Sequence, residues 1–105
     1  MITCMSKEME LHAKRLGELG NLTRLSIFRV LVKAGRKGVA VGDVQKILDI
    51  PGSTLSHHIS RMVNAGLVEQ RRESRTLYCL PLMDAVKETA DFLLSECCSG
   101  NIVPK

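Results

Sequence analysis

Residues 53–80 read STLSHHISRMVNAGLVEQRRESRTLYCL, and the spacing of the apolar side chains changes inside this stretch. In the first half, Leu55, Ile59 and Met62 or Val63 recur at helical intervals. Residues 53–65 therefore read as a helix, with Ser53 as N-cap and Gly66 as stop. In the second half, LVEQRRE and TLYCL read as two short strands around a polar turn at Glu73–Arg75. The face of the helix turned away from its apolar stripe carries Thr54, Ser56, His57, Ser60 and Arg61, with Ser53 at its start. Short hydroxyl donors at a helix N-terminus suit close approach to phosphates and base edges. A solvated helix face can carry the same residues. Arg71, Arg72 and Arg75 gather toward the hairpin tip, where they can sit over a phosphate backbone. A basic tip alone is more often a soluble turn, but the helix and the tip in this order are more specific than either. His57 and His58 diverge by about 100° on a helix, so one can face outward while the other packs, and they do not pair on one metal.

Upstream, the chain offers three more helices. Residues 6–18 carry Met9, Leu11, His12 and Leu16 among charges, with Ser6 as cap and Gly20 past the end. Residues 21–34 start at Asn21 or Thr23 and place Leu25, Phe28, Leu31 and Val32 on a stripe, ended by Gly35 and Gly38. Residues 41–49 place Val41, Val44, Ile47 and Leu48 on one face before Pro51 and Gly52 break the chain. Downstream, Pro81 opens a last helix over 82–98, with a wide stripe of Met83, Val86, Ala90, Leu93, Leu94 and Cys97. Residues 1–5 and 99–105 read as flexible ends of a single domain spanning 1–105. Two short helices joined by a tight turn and followed by a basic hairpin make a winged helix-turn-helix. The fold class is mainly α with a small β-hairpin.

The chain has 105 residues, 45% of them hydrophobic and 25% charged, which is the size and balance of one globular domain. A barrel or a dinucleotide-binding sheet needs a longer chain. Aromatics stop at Phe28, Phe92 and Tyr78, so the core must be aliphatic. No apolar run approaches the roughly 20 residues of a membrane span, and the polar start is not a signal peptide. A cytoplasmic protein with reduced thiols and no membrane partner is the expectation. Fifteen Lys and Arg against 11 Asp and Glu leave a net +4, which permits a polyanionic partner. No cofactor loop and no nucleophile paired with a base appears, so an enzyme is not expected.

Over about residues 10–98 the chain resembles the ArsR/SmtB family of metal- and metalloid-responsive repressors. LGNLTRLSIFRVLV resembles the family's first long core helix. Ser-Thr-x-Ser-His-His, then Ala-Gly-Leu-Val, Arg-Arg-Glu-x-Arg and a later Tyr resemble its recognition helix and wing. Three positions depart from the family pattern: Gly52 where Gln is frequent, Ser74 where the wing turn often has Gly, and Leu22 where Pro is common. The resemblance implies a homodimer through the first and last helices. Its paired recognition helices would lie in successive major grooves of double-stranded operator DNA. No cofactor is then required for DNA binding.

Family members differ in where their inducers bind. The family's thiol site ahead of the recognition helix is absent, because that stretch here is Val39–Asp43 without a cysteine. The zinc-type site on the last helix needs His, and this helix has Asp84 but no His. Cys97 and Cys98 remain, preceded by Glu96, and they resemble the arsenic-responsive subgroup with a vicinal pair at this place. Thiolates select soft ions, so trivalent arsenic or antimony is the implied inducer. Cys4, from either chain, is the candidate third ligand. The negative end of the helix and Glu96 should raise the thiol pKa. Other readings stay open: packing of Cys97 in a dimer core, a thiol-redox or persulfide-responsive switch that joins Cys4 and Cys97, or an inducer-free DNA-binding module. Cys79, on the second strand, reads as core or surface filler.

Overall fold

The computed structural model describes residues 6–100 and residue 102. Helix α1 spans Lys7–Leu19 and starts where the Ser6 side chain accepts from the Met9 amide. Helix α2 spans Leu22–Ala34 and is capped by Asn21, whose side chain accepts from the Arg24 amide. A short 3-10 turn over Gly35–Lys37 leads to strand β1, Val39–Ala40. Helix α3 spans Val41–Leu48 and helix α4 spans Gly52–Asn64. Strands β2 (Val68–Glu73) and β3 (Thr76–Pro81) follow, then helix α5 over Met83–Leu94.

The core lies where α2, α3, α4 and the base of the sheet meet. Ile27, Phe28, Leu31, Val44, Leu55, Ile59, Met62, Leu67, Val68 and Cys79 are buried there in one cluster. The aliphatic core expected from the composition is thus present, and Cys79 belongs to it. The stripe on α2 runs one position earlier than expected: Arg24, Ile27, Phe28 and Leu31 are buried, while Leu25 faces outward. Its spacing of 3, 4 and 7 residues follows a helix face more closely than the expected set. On α3, Val44 is buried and Val41 and Leu48 pack partly buried against the core, but Ile47 is exposed.

The hairpin is part of a three-stranded antiparallel sheet, ordered β1-β3-β2. Val39 pairs with Cys79 and Ala40 with Tyr78, so the two residues before α3 add a strand that no pattern of alternation could announce. Gly38 makes this pairing possible. Its φ is +79°, and a Cβ there would lie 3.0 Å from the Cys79 carbonyl oxygen and the Leu80 side chain. The β2–β3 ladder runs from Val68 opposite Pro81 to Glu73 opposite Thr76, leaving Ser74 and Arg75 as the turn.

Two helix ends differ from the sequence reading. Helix α4 begins at Gly52 with Pro51 at the cap position, so Ser53 lies inside the first turn and does not cap it. Pro81 closes β3 rather than opening α5, and α5 ends at Leu94, four residues before Cys98. Ser95 is extended, its hydroxyl donates to the Phe92 carbonyl, and Glu96 and Cys98 take left-handed φ values of 62° and 65°. Residues 95–98 therefore form successive turns, held by Cys97 N–H to Leu94 O and Ser99 N–H to Glu96 O.

Helices α1 and α5 pack on each other beside this core. His12 is 2% exposed and stacks on Phe92 with ring centroids 4.2 Å apart. Its Nδ1 lies 2.7 Å from the Thr89 hydroxyl. Arg15 donates from Nη1 to the Ala85 carbonyl, to Glu88 Oε1 at 2.8 Å and to Thr89. The Arg15 hydrogen bond holds the Glu88 carboxyl below the usual carboxylate range.

Candidate nucleic-acid interface and thiol site

Helix α4 buries Leu55, Ile59 and Met62 and presents Ser53, Thr54, Ser56, His57 and Ser60 to solvent. No side chain caps its N-terminus, in contrast to α1 and α2. The first-turn amides are left to whatever approaches the helix end. With three hydroxyls beside them, they form a donor-rich surface suited to phosphate oxygens and base edges.

The two histidines separate as their spacing requires. His57 is exposed, while His58 is half-buried against α2, where Arg24 Nη1 lies 3.2 Å from its Nδ1. A guanidinium can only donate, so Nδ1 accepts and the ring is neutral. Burial first, and the neighbouring Arg24 charge second, hold the His58 pKa below its usual value.

Arg61 occupies a different place from the hydroxyls. Its guanidinium grips the Glu18 carboxylate at the end of α1, with Nε 2.9 Å from Oε1 and Nη2 3.1 Å from Oε2. The Arg61 hydrogen bond holds the Glu18 carboxyl below its usual range, and Glu18 in turn raises the Arg61 pKa. Glu18 also takes Arg24, whose Nε lies 3.1 Å from Oε1 and donates to the Glu18 carbonyl oxygen at 2.7 Å. Glu18 and Arg24 escaped the sequence reading. Their only signal was a Thr-Arg-Leu step and one acidic residue at a helix end.

On the wing, Arg71 and Arg72 lie along β2 rather than at its tip, and only Arg75 is in the turn. Neighbouring strand residues point to opposite faces, so Arg71 and Arg72 diverge. Arg71 pairs with Glu73 at 2.8 Å. Arg72 and Arg75 are exposed and make no ion pair among the described residues.

The second constellation is at the far end of α5. Cys97 and Cys98 are exposed, and their sulfurs lie 3.0 Å apart. They are off the helix, so the 100° divergence expected of helical neighbours does not apply. The left-handed φ at Cys98 brings both side chains to one side. Hydrogen bonding to Cys98 raises the Cys97 pKa, with a smaller contribution from burial. Cys79 is sequestered in the core, and burial raises its pKa. Cys4 lies outside the described residues, and so does most of the tail. His12 and Asp84 hold structural places, in the α1–α5 contact and the first turn of α5. No group of three or more His, Cys, Asp or Glu suited to a metal ion occurs among the described residues. Two thiols side by side suit one thiophilic atom.

The family model described as a helix-turn-helix domain matches residues 19–71, half of the chain. A Halobacterium salinarum protein, named for repression of an arsenical resistance operon (ArsR), is 37% identical over 60 residues. That alignment covers 57% of this chain and 46% of the relative, so the match spans about half of that protein's length. An uncharacterised HTH-type transcriptional regulator of Bacillus subtilis, YceK, is 30% identical over 77 residues, covering 73% of this chain and 76% of that one. Among solved structures, HlyU from Vibrio cholerae superposes with a TM-score of 0.71 at 26% identity, covering 90% of this chain and 99% of that one.

Proposed function

The chain belongs to the ArsR/SmtB family of winged-helix DNA-binding transcription regulators, and on that premise we propose that it is a repressor released from its operator by a trivalent arsenical or antimonite bound at Cys97 and Cys98. The observation that carries this reading is the 3.0 Å approach of two exposed thiols just beyond α5. Soft, thiophilic atoms bind such a pair, and hard-donor ions do not. The relative named for an arsenical resistance operon supports the same choice.

The DNA surface in this reading is Ser53, Thr54, Ser56, His57 and Ser60 on α4, with Arg71, Arg72 and Arg75 on the wing. Two copies join through α1 and α5 and set their recognition helices at about 34–36 Å, one turn of DNA. Support for pairing comes from Met9, Leu11 and Leu16 on α1 and Leu93 and Leu94 on α5, which leave apolar surface exposed on the one contiguous α1–α5 unit. Inducer binding at the end of α5 changes that interface, and a bias of a few kcal/mol between two arrangements suffices to empty the operator. Cys4 would add a third thiolate from the same or the partner chain.

Oxidation of the pair, or its persulfidation, is the second reading. The same short sulfur–sulfur distance favours it, but the raised Cys97 pKa opposes it, because the thiolate is the species that attacks oxidants.

The test is fluorescence anisotropy on the DNA upstream of the protein's own gene. Reduced protein is titrated, and then arsenite, methylarsenite, zinc or a persulfide donor is added separately. Release by a trivalent arsenical, lost in Cys97→Ser/Cys98→Ser while DNA affinity is kept, is the expected outcome. Release by the persulfide donor alone would move the assignment to the redox reading. Unchanged arsenite release from the double variant would remove the thiol pair from the mechanism.

A further inference from the structure

We propose that Glu18 is a strut between α1 and the recognition helix, and that Arg61 is the far end of that strut rather than a contact to DNA. Arg61 is the only cation on α4, and its guanidinium is engaged fork to fork with a carboxylate 43 residues away in sequence. An exposed surface pair would carry little weight. Here only the Arg61 side is open: its side chain is 48% exposed, against 12% for Glu18. The same carboxylate oxygen that meets Arg61 Nε also meets Arg24 Nε.

The contacts close into a frame. Arg24 reaches from Glu18 to His58, and Arg61 reaches from Glu18 to the next turn of α4. His58 and Arg61, three residues apart, lie on one face of α4. Two points on the recognition helix are thereby tied to one residue at the end of α1. Two guanidiniums at the C-terminal end of α1 also sit where the helix dipole favours positive charge. Helix α1 is in turn locked to α5 through His12, Arg15 and Phe92. A displacement of the α1–α5 unit therefore reaches α4 through Glu18. The proposal rests on the dimeric repressor reading for its consequence: the strut sets the separation of paired recognition helices. Its local part, the coupling of Glu18 to Arg61, stands without that reading.

The experiment uses the full chain with Glu18→Gln, Arg61→Gln and both together. The DNA is the site footprinted upstream of its own gene, together with versions carrying one or two extra base pairs between half-sites. A strut predicts that each single variant weakens operator binding by roughly two- to thirtyfold, the range of coupling changes at residues that touch no ligand. The double variant is no weaker than the weaker single one, and the penalty for the altered spacer shrinks. The salt dependence of binding stays at the parent slope, because no phosphate contact is lost. A slope lowered by about one in Arg61→Gln would make Arg61 a phosphate contact and overturn the proposal. Tighter binding by Glu18→Gln would overturn it too, by showing that the carboxylate merely masks a DNA-binding cation. If the parent protects no site, the repressor reading fails. A double-mutant cycle in urea unfolding then decides the strut alone, and a coupling of zero between positions 18 and 61 sinks it.

Discussion

Ser74 is one of four described residues other than glycine with a positive φ. It sits first in the two-residue wing turn with φ at 59°, a region that costs a side chain bearing a Cβ about 1–2 kcal/mol. Ser74→Gly should therefore stabilise the fold by about 0.5–1 kcal/mol in urea unfolding, with the wing otherwise unchanged. A loss of stability would mean that the turn is not strained. The cysteines divide just as sharply. Alkylation of the native protein, mapped by peptide mass, should label Cys97 and Cys98 quickly and Cys79 only after denaturant, since Cys79 is fully buried with its thiol pKa raised by that burial. Equal labelling of all three would contradict the core position of Cys79. The sequence showed that a vicinal pair existed and that the Cys97 thiol pKa would be raised. It assigned that rise to the helix end and Glu96, whereas the first cause is the shared hydrogen bond with Cys98.

At the scale of elements, the recognition helix is held by packing on one side and by charge on another. Leu55, Ile59 and Met62 anchor it in the core, and His58 and Arg61 tie it to α2 and α1. This second attachment depends on pH. His58 faces Arg24 of α2 and Glu18 of α1, with His57 and Arg61 on its own helix, and its pKa is depressed below 6.5. The unfolded chain thus binds more protons than the folded one as pH falls below 6.5, and stability declines through that window. The Glu18 carboxyl, depressed below 4.5, adds its own loss only at lower pH. Urea unfolding of the parent from about pH 7 to about pH 5 should show a falling midpoint, and His58→Gln should flatten that fall. An identical pH profile in the variant would place the proton uptake elsewhere. Helices α1 and α2 were legible because Ser6 and Asn21 cap them as local chemistry demands. The end of α5 was not legible: the first Gly or Pro after Leu94 is Gly100, past both cysteines, and the turns come from left-handed φ at Glu96 and Cys98, residues that do not advertise that conformation.

The described residues form an elongated body, 55 × 26 × 22 Å, with a radius of gyration of 16.4 Å. A compact chain of this length has about 13 Å. Among the described residues no helix is long and apolar enough to cross a membrane. Leu93 and Leu94 are exposed, at 59% and 72%. In the proposed dimer, pairing with a second copy covers them. Leu93→Asp/Leu94→Asp should shift sedimentation from dimer to monomer and weaken operator binding by at least tenfold, since one recognition helix reads only half a site. Circular dichroism should stay that of the parent, because neither side chain is in the core cluster. A parent that already sediments as a monomer would remove the dimer from the proposed function.

The sequence by itself determined the order of the five helices and the hairpin, the aliphatic core, the exposed hydroxyl face of α4 and the presence of two neighbouring thiols. All of these rest on local periodicity, capping or composition, which a linear chain carries in full. Tertiary structure alone decided that Val39 and Ala40 pair with β3, that Arg61 belongs to Glu18, that His58 rather than His57 turns inward, and that the two sulfurs lie 3.0 Å apart. The first three join residues tens of positions apart, and the last depends on backbone angles at single residues. Periodicity assigns a residue to a face. Only the packed fold chooses which partner that face meets.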